Sequence, residues 1–475
     1  MKPIFSFELK KCLKSKTVWL TFILWCIIIA FATQQRIHTI NVLRTANDTS
    51  AQYELRKAAA YFTLLDSAET GKKQFPKYDS DPRNPVYFNN SLPRFAIFPP
   101  GPLNSFATGQ SDVMPSLYVI SRRYDYRVQK EEAVNGLQLL YGKIDIAFVI
   151  VFLLPLVIIA FNYNILSSEK ENGTLKLLMV QGSSLQQIVW AKMLVSLLFT
   201  LLLLLLPVAC IVVEGIDPSR IISALGIYLL VALLYSLFWH LLCAFINRKI
   251  KSSAYNATIL LSSWLFIVLV LPTLINTITE IVHPVPSRTK FITDYRHTLN
   301  EMERDSNSVI LDKYFFDHPE LVKQDTTGNT RNRANEFYKA IHINQDKTQT
   351  ALQPLYVAHD NALRSANDFA NKAGLISPAI CMQQSLLLLA GQSSRQYVYF
   401  IERIDEWRKP YLKFIFNKLL LDKDVSKTEA LQLKPFSYPP YDYSGKITLN
   451  IFLLLLFNIF LIIIVAVSLK GTIIT

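Results

Sequence analysis

The sequence predicts an all-α polytopic membrane protein with six transmembrane helices and two mainly helical exoplasmic insertions. Six apolar runs reach the roughly 17 to 25 residues that a helix needs to cross a hydrocarbon core. The runs lack a barrel strand's alternation, so only helices can satisfy their amide groups in lipid. Basic residues crowd the run ends: Lys2, Lys10, Lys11, Lys14 and Lys16 before the first, Arg248, Lys249 and Lys251 between the fourth and fifth, and Lys470 after the last. By the positive-inside rule these flanks, and hence both termini, are expected to be cytoplasmic. The net charge of +13 forms no basic domain with interleaved aromatics, so no nucleic-acid partner is expected.

Residues 1–16 alternate lysines with Ile4, Phe5, Phe7, Leu9, Cys12 and Leu13, the pattern of a cytoplasmic interfacial helix lying on membrane lipid. The first span is expected at 17–33. Its end, Ala30-Phe31-Ala32, imitates a signal-peptidase site, but the long basic leader favours a retained anchor. Residues 34–143 form a first exoplasmic domain, helical over 36–70 and 123–140, with turn signals between them at Phe98-Pro-Pro-Gly-Pro102 and Gly109-Gln-Ser-Asp112. The second span, 144–164, carries Pro155, and a cytoplasmic loop follows at 165–192. The third span, 193–213, carries Pro207, and Glu214 to Pro218 make a tight turn into the fourth, 221–246. A short cytoplasmic loop at 247–255 leads to the fifth span, 256–281, with Pro272. Pro155, Pro207 and Pro272 are candidate hinges, because a proline removes one backbone bond and crowds another.

Residues 282–446 make the second, larger exoplasmic domain before the last span at 447–469. Leu352, Tyr356, His359, Leu363, Ala366 and Ala370 share one helical face there, and Pro354 is expected to kink or divide that helix. Gly391-Gln-Ser393, after an apolar proline stretch, echoes Gly109-Gln-Ser111 and suggests two walls facing each other. Of five cysteines only Cys381 falls in an exoplasmic domain, which excludes a disulfide framework within those domains.

The loop at 165–192 is short, charged and patterned like a helix. Gly173 is suited to a left-handed turn, and Thr174 to capping the amides that follow. Leu175, Leu178, Met179 and Gly182 recur at helical spacing, while Ser183 and Ser184 each stand three residues before a glutamine, the spacing of a capping box. This order, a turn Glu169-x-x-x-Gly173-Thr174-Leu175, the pair Leu177-Leu178, a small-residue break, Ser183, and Lys192 entering an apolar span, resembles the cytoplasmic coupling loop of ABC type-2 export permeases. Gly182 stands where a proline is common in that family. The order of spans fits too, and the enlarged loops between spans one and two and between five and six resemble a bacterial subgroup of it.

The resemblance implies that Glu169, Glu171, Gly173, Thr174, Leu177, Leu178, Ser183 and Lys192 couple this chain to a separate ABC ATP-binding subunit. It also implies a second permease half, from the same chain or a related one, around one path. The chain has no Gly-x-x-x-x-Gly-Lys-Ser/Thr phosphate loop, so no cofactor is expected on it, and ATP and Mg would sit on the partner. Asn256, Ser262, Ser263 and Asn276 on the fifth span could line the path or join helices by hydrogen bonds. His240 could share a face with Cys243, and Cys26 and Cys210 lie in other spans. No repeated ligand motif supports a metal, so a hydrogen-bonded neutral histidine is expected. No His-Glu-x-x-His or Gly-x-Ser-x-Gly motif points to an enzyme. The expected function is therefore the permease subunit of an ATP-driven exporter in a bacterial inner membrane, handing cargo to a periplasmic partner. The alternative is a mechanotransmission or signalling subunit without cargo.

Overall fold

The computed structural model describes residues 2–75, 80–112, 114–120, 144–182, 184–213, 221–248, 251–302, 307–319 and 330–470. The expected helix at 123–140 and the turn at Glu214 to Pro218 lie outside them. Helices long and apolar enough to cross a membrane are Lys16–Glu69, Ile146–Glu171, Leu185–Ile211, Ile222–Asn247, Ser253–Val282 and Ser444–Val467, here spans 1 to 6. The loop joining spans 2 and 3 marks one side of the bundle, and the two insertions mark the other. Span 4 is the hub, packing against spans 2, 3, 5 and 6 with Tyr228, Tyr235 and Trp239 wholly buried. Its apolar window is 61% buried, against 17% in span 5, so span 5 presents most of its surface to lipid or to another chain.

Before each proline expected as a hinge, a side chain from another element donates to a backbone carbonyl four or five residues back. A π-helical segment, Val149–Leu153, comes directly before Leu154 and Pro155, and the Tyr235 hydroxyl of span 4 donates to the Val151 carbonyl at 2.8 Å. A second π segment, Leu265–Val270, precedes Pro272, and Ser377 Oγ donates to the Ile267 carbonyl at 3.3 Å. Pro207 lies inside an α-helix, where Trp25 Nε1 of span 1 donates to the Leu203 carbonyl at 3.3 Å. Proline cannot supply the donor these carbonyls lose, and a membrane has no water to replace it.

The helix of span 1 does not stop where its apolar run does. It continues through 54 residues to Glu69, about 80 Å at 1.5 Å per residue. Its far end belongs to the insertions, which join into one unit in place of two separate domains. Tyr61, Leu65, Phe88 and Leu92 of the first share a core with Tyr411, Ile415, Val425 and Ala430 of the second. A two-stranded antiparallel sheet, Phe95–Ile97 paired with Leu117–Val119, was not expected in an all-α chain, and its Ala96 and Tyr118 pack on Phe400 and Ile404. Lys427 Nζ reaches Asp66 at 2.7 Å, and Arg94 pairs with Glu54 at 3.0 Å in a nearly buried bridge.

The two Gly-Gln-Ser segments meet. A Cβ on Gly101 would lie 2.4 Å from Gly391 N, one on Gly109 would lie 2.4 Å from Gln392 O, and Leu103 N donates to Leu389 O at 3.1 Å. The helix before Gly391, Pro378–Leu389, buries Met382, Leu386 and Leu389 in the core of the spans, where Asn450 Nδ2 of span 6 donates to Ser385 Oγ at 3.0 Å. Helix Thr330–Gly374 runs unbroken through Pro354.

Candidate coupling site

The stretch from the end of span 2 toward span 3 is two short helices set at an angle by glycine. Ser167–Glu171 is followed by Asn172 and by Gly173 at φ +72°, and Thr174–Val180 begins at once. Gly173 itself is the residue before that helix, so Thr174 is helical and does not cap, contrary to expectation. Its hydroxyl bonds backward, to the Glu169 carbonyl at 3.2 Å and to the Glu169 carboxylate. Gly182 takes φ +80°, which a proline ring fixed near −65° cannot reach. Ser184 and Gln187 exchange the reciprocal bonds of a capping box, at 3.2 and 3.3 Å. Ser183 lies outside the described residues.

Two carboxylates brace the loop from within. Glu169 Oε1 lies 2.6 Å from Lys192 Nζ at the foot of span 3, and Lys192 also donates to the Ile165 carbonyl at 3.2 Å and lies 3.6 Å from Glu8 on the N-terminal helix. Glu171 accepts from Ser253 N at 2.7 Å and from Ser253 Oγ at 2.8 Å, holding the first turn of span 5. Spans 2, 3 and 5 and the N-terminal helix thus meet on this loop.

The exposed surface carries an apolar patch beside Lys176. Leu175 is buried and Leu178 packs on the bundle, whereas Leu177 is 59% and Val180 85% exposed, with Met179 beside them. Met179 and Val180 were not among the expected contact residues. The signal for them was that Leu177 to Val180 is an unbroken apolar run, more than one buried face of a short helix can use.

The candidate path residues separate. Asn256 is fully buried and donates to Asn247 Oδ1 at 3.0 Å, while Asn247 donates to the Asn162 carbonyl at 3.0 Å. Asn162 donates to Ser196 Oγ at 2.7 Å, and Ser196 Oγ lies 3.2 Å from Nε2 of His240, whose Nδ1 is 2.8 Å from the Ser236 carbonyl. Asn256 therefore joins helices, in a ladder that runs from His240 toward the loop. Ser263 bonds its own helix, to the Ile259 carbonyl at 2.8 Å. Ser262 and Asn276 are exposed on span 5, and Thr273 and Glu280, also exposed, stand three residues before and four after Asn276.

The model of a family described as ABC-2 family transporter protein matches residues 3–358. The chain belongs to that family. It is the membrane-spanning permease component of an ABC transporter, a multi-pass protein whose family works with an ABC ATP-binding subunit. A second model, a domain of unknown function (DUF3526), matches residues 288–439 of the permease, most of the second insertion. Among curated proteins none matches the chain.

Proposed function

We propose that this permease is half of an ATP-driven exporter in a bacterial inner membrane. The loop 165–192 and both termini lie in the cytoplasm, and the joined insertions form an exoplasmic unit over the exit. ATP and Mg bind the separate subunit, whose closure pushes on the apolar tip formed by Leu177, Met179 and Val180. The braces at Glu169–Lys192 and Glu171–Ser253 carry that stroke into spans 2, 3 and 5. The observation that carries the reading is an exposed apolar tip on a loop pinned by ion pairs and hydrogen bonds, since such a patch on a rigid support marks a protein contact. A second permease half, with the same or a related chain, would cover the exposed polar line of span 5. Ser262 and Asn276 then face the path between halves, and Asn256 and Ser263 serve packing.

The test is co-purification of the tagged chain from its native membrane with an ATPase assay. Recovery of an ATPase carrying a phosphate-loop motif is expected, and repeated purification without one would overturn the reading. One observation favours a second reading, mechanotransmission without cargo: the unbroken helix from span 1 into the insertions would carry a stroke outward as a rod. That reading requires that no cargo-dependent change in ATPase rate be found.

A further inference from the structure

Helices Thr330–Gly374 and Ser394–Leu420 pack through Ile343, Phe416 and Leu420, and beside that apolar contact they turn mainly polar side chains toward each other. Between them lies a cleft of about 390 Å³, within the range of small-molecule sites, about 300–1,000 Å³. One wall carries His342, which is only 5% exposed and whose two ring nitrogens both lack a hydrogen-bond partner among the described residues. Gln345, Gln349 and Gln353 continue that wall at helical spacing, and Asn417 lines the cleft from the other helix. The Gln349 amide oxygen, oriented to satisfy its surroundings, accepts from both terminal nitrogens of Arg408 at 3.0 Å, fixing the guanidinium in the wall. Tyr356 and Phe416 add aromatic surface.

A neutral imidazole offers one donor and one acceptor, and each side-chain amide offers both. A carboxylate or phosphate only accepts and an ammonium only donates, so each would leave part of the imidazole and amide set unmatched. A hydroxyl does both. Asp346 and Asp405 stand in the same cleft as Arg408, Lys409 and Lys413, so charges of both signs line the site. We propose that the cleft binds a saccharide, its hydroxyls on His342 and the amides and the apolar face of a sugar ring on Tyr356 or Phe416. The site lies within the domain of unknown function and does not depend on the transport reading, because binding needs no ATPase.

The experiment is calorimetric titration of the full chain in phosphatidylcholine nanodiscs, which carry no sugar, with chitotetraose, cellotetraose and maltotetraose, and with citrate and tetraglycine as controls. At least one saccharide should bind about tenfold more tightly than either control, a difference of about 1.4 kcal/mol. His342→Phe, which removes both nitrogens at similar volume, and Gln353→Ala, at an exposed position, should each weaken it about tenfold. Gln353→Ala should leave the unfolding midpoint unchanged, which keeps the test valid if His342→Phe misfolds. Failure of all three saccharides to bind at millimolar concentration, binding unchanged in Gln353→Ala, or equal binding of citrate or tetraglycine would each overturn the proposal.

Discussion

At the scale of single residues, stability in the spans depends on carbonyls that proline leaves without a donor. Tyr235 donates to Val151 in the turn that Pro155 leaves one backbone bond short, so its hydroxyl should matter most while the proline is present. Tyr235→Phe should cost about 1 kcal/mol of thermal stability in detergent, and almost nothing in a Pro155→Ala background, where the amide returns. Equal costs in both backgrounds would remove the brace from the account. Gly101 makes a similar argument in the insertions. Its missing side chain faces Gly391 N at 2.4 Å and the Ala390 carbonyl carbon at 2.5 Å, all backbone with no flexible end to yield. Gly101→Ala should therefore destabilise the insertion unit by about 1–3 kcal/mol, seen as faster limited proteolysis with membrane insertion intact. The prolines and glycines were legible in the sequence because their backbone limits are intrinsic. Tyr235, Trp25 and Ser377 were not, because a brace depends on the register between helices far apart in the chain.

At the scale of elements, the coupling loop shows what periodicity can and cannot tell. Gly173 was readable as the reversal, and Leu175 and Leu178 as the inward face. The burial of Asn256 follows from neighbours at the end of span 2 and on span 4, Ser167 and Asn247, which no local pattern encodes. Val180→Asp should lower stimulation of the ATPase subunit about tenfold or more while expression and insertion stay unchanged, because a buried, unpaired charge at a contact is strongly disfavoured. An ATPase assay on the co-purified complex reads this directly, and full stimulation would place the contact elsewhere.

The short helix Lys427–Gln432 carries a pH-dependent contact of the same kind. Burial opposes the charge of Glu429, but Lys418 Nζ at 2.6 Å and the Ser426 capping bonds outweigh it and hold the carboxyl below its usual range. A depressed carboxylate contributes stability that is fully present above its unfolded pKa, about 4.3, and is lost as pH falls through the lower folded value. Glu429→Gln should thus lower the unfolding midpoint at neutral pH and match the unsubstituted protein once the pH lies below the lowered folded value. A difference that persists in acid would assign the effect to shape, not to charge.

At the scale of the whole molecule, six membrane helices were evident from run length alone, and the family from the order of motifs around one loop. The joining of the two insertions was hidden, since its cores pair residues such as Tyr61 and Tyr411 across most of the chain. The resulting arrangement links three levels without a break: an apolar tip at one end, a hub of buried spans, and a long helix leading from span 1 into the insertion unit at the other. The central claim is that an ATPase grips the tip. A photo-crosslinking amino acid at Val180, activated in native membranes and followed by mass spectrometry, tests it most directly. An adduct with an ATP-binding subunit is expected, and it should be lost on Leu177→Asp. Adducts confined to lipid or to this chain, with no ATPase among them, would contradict it.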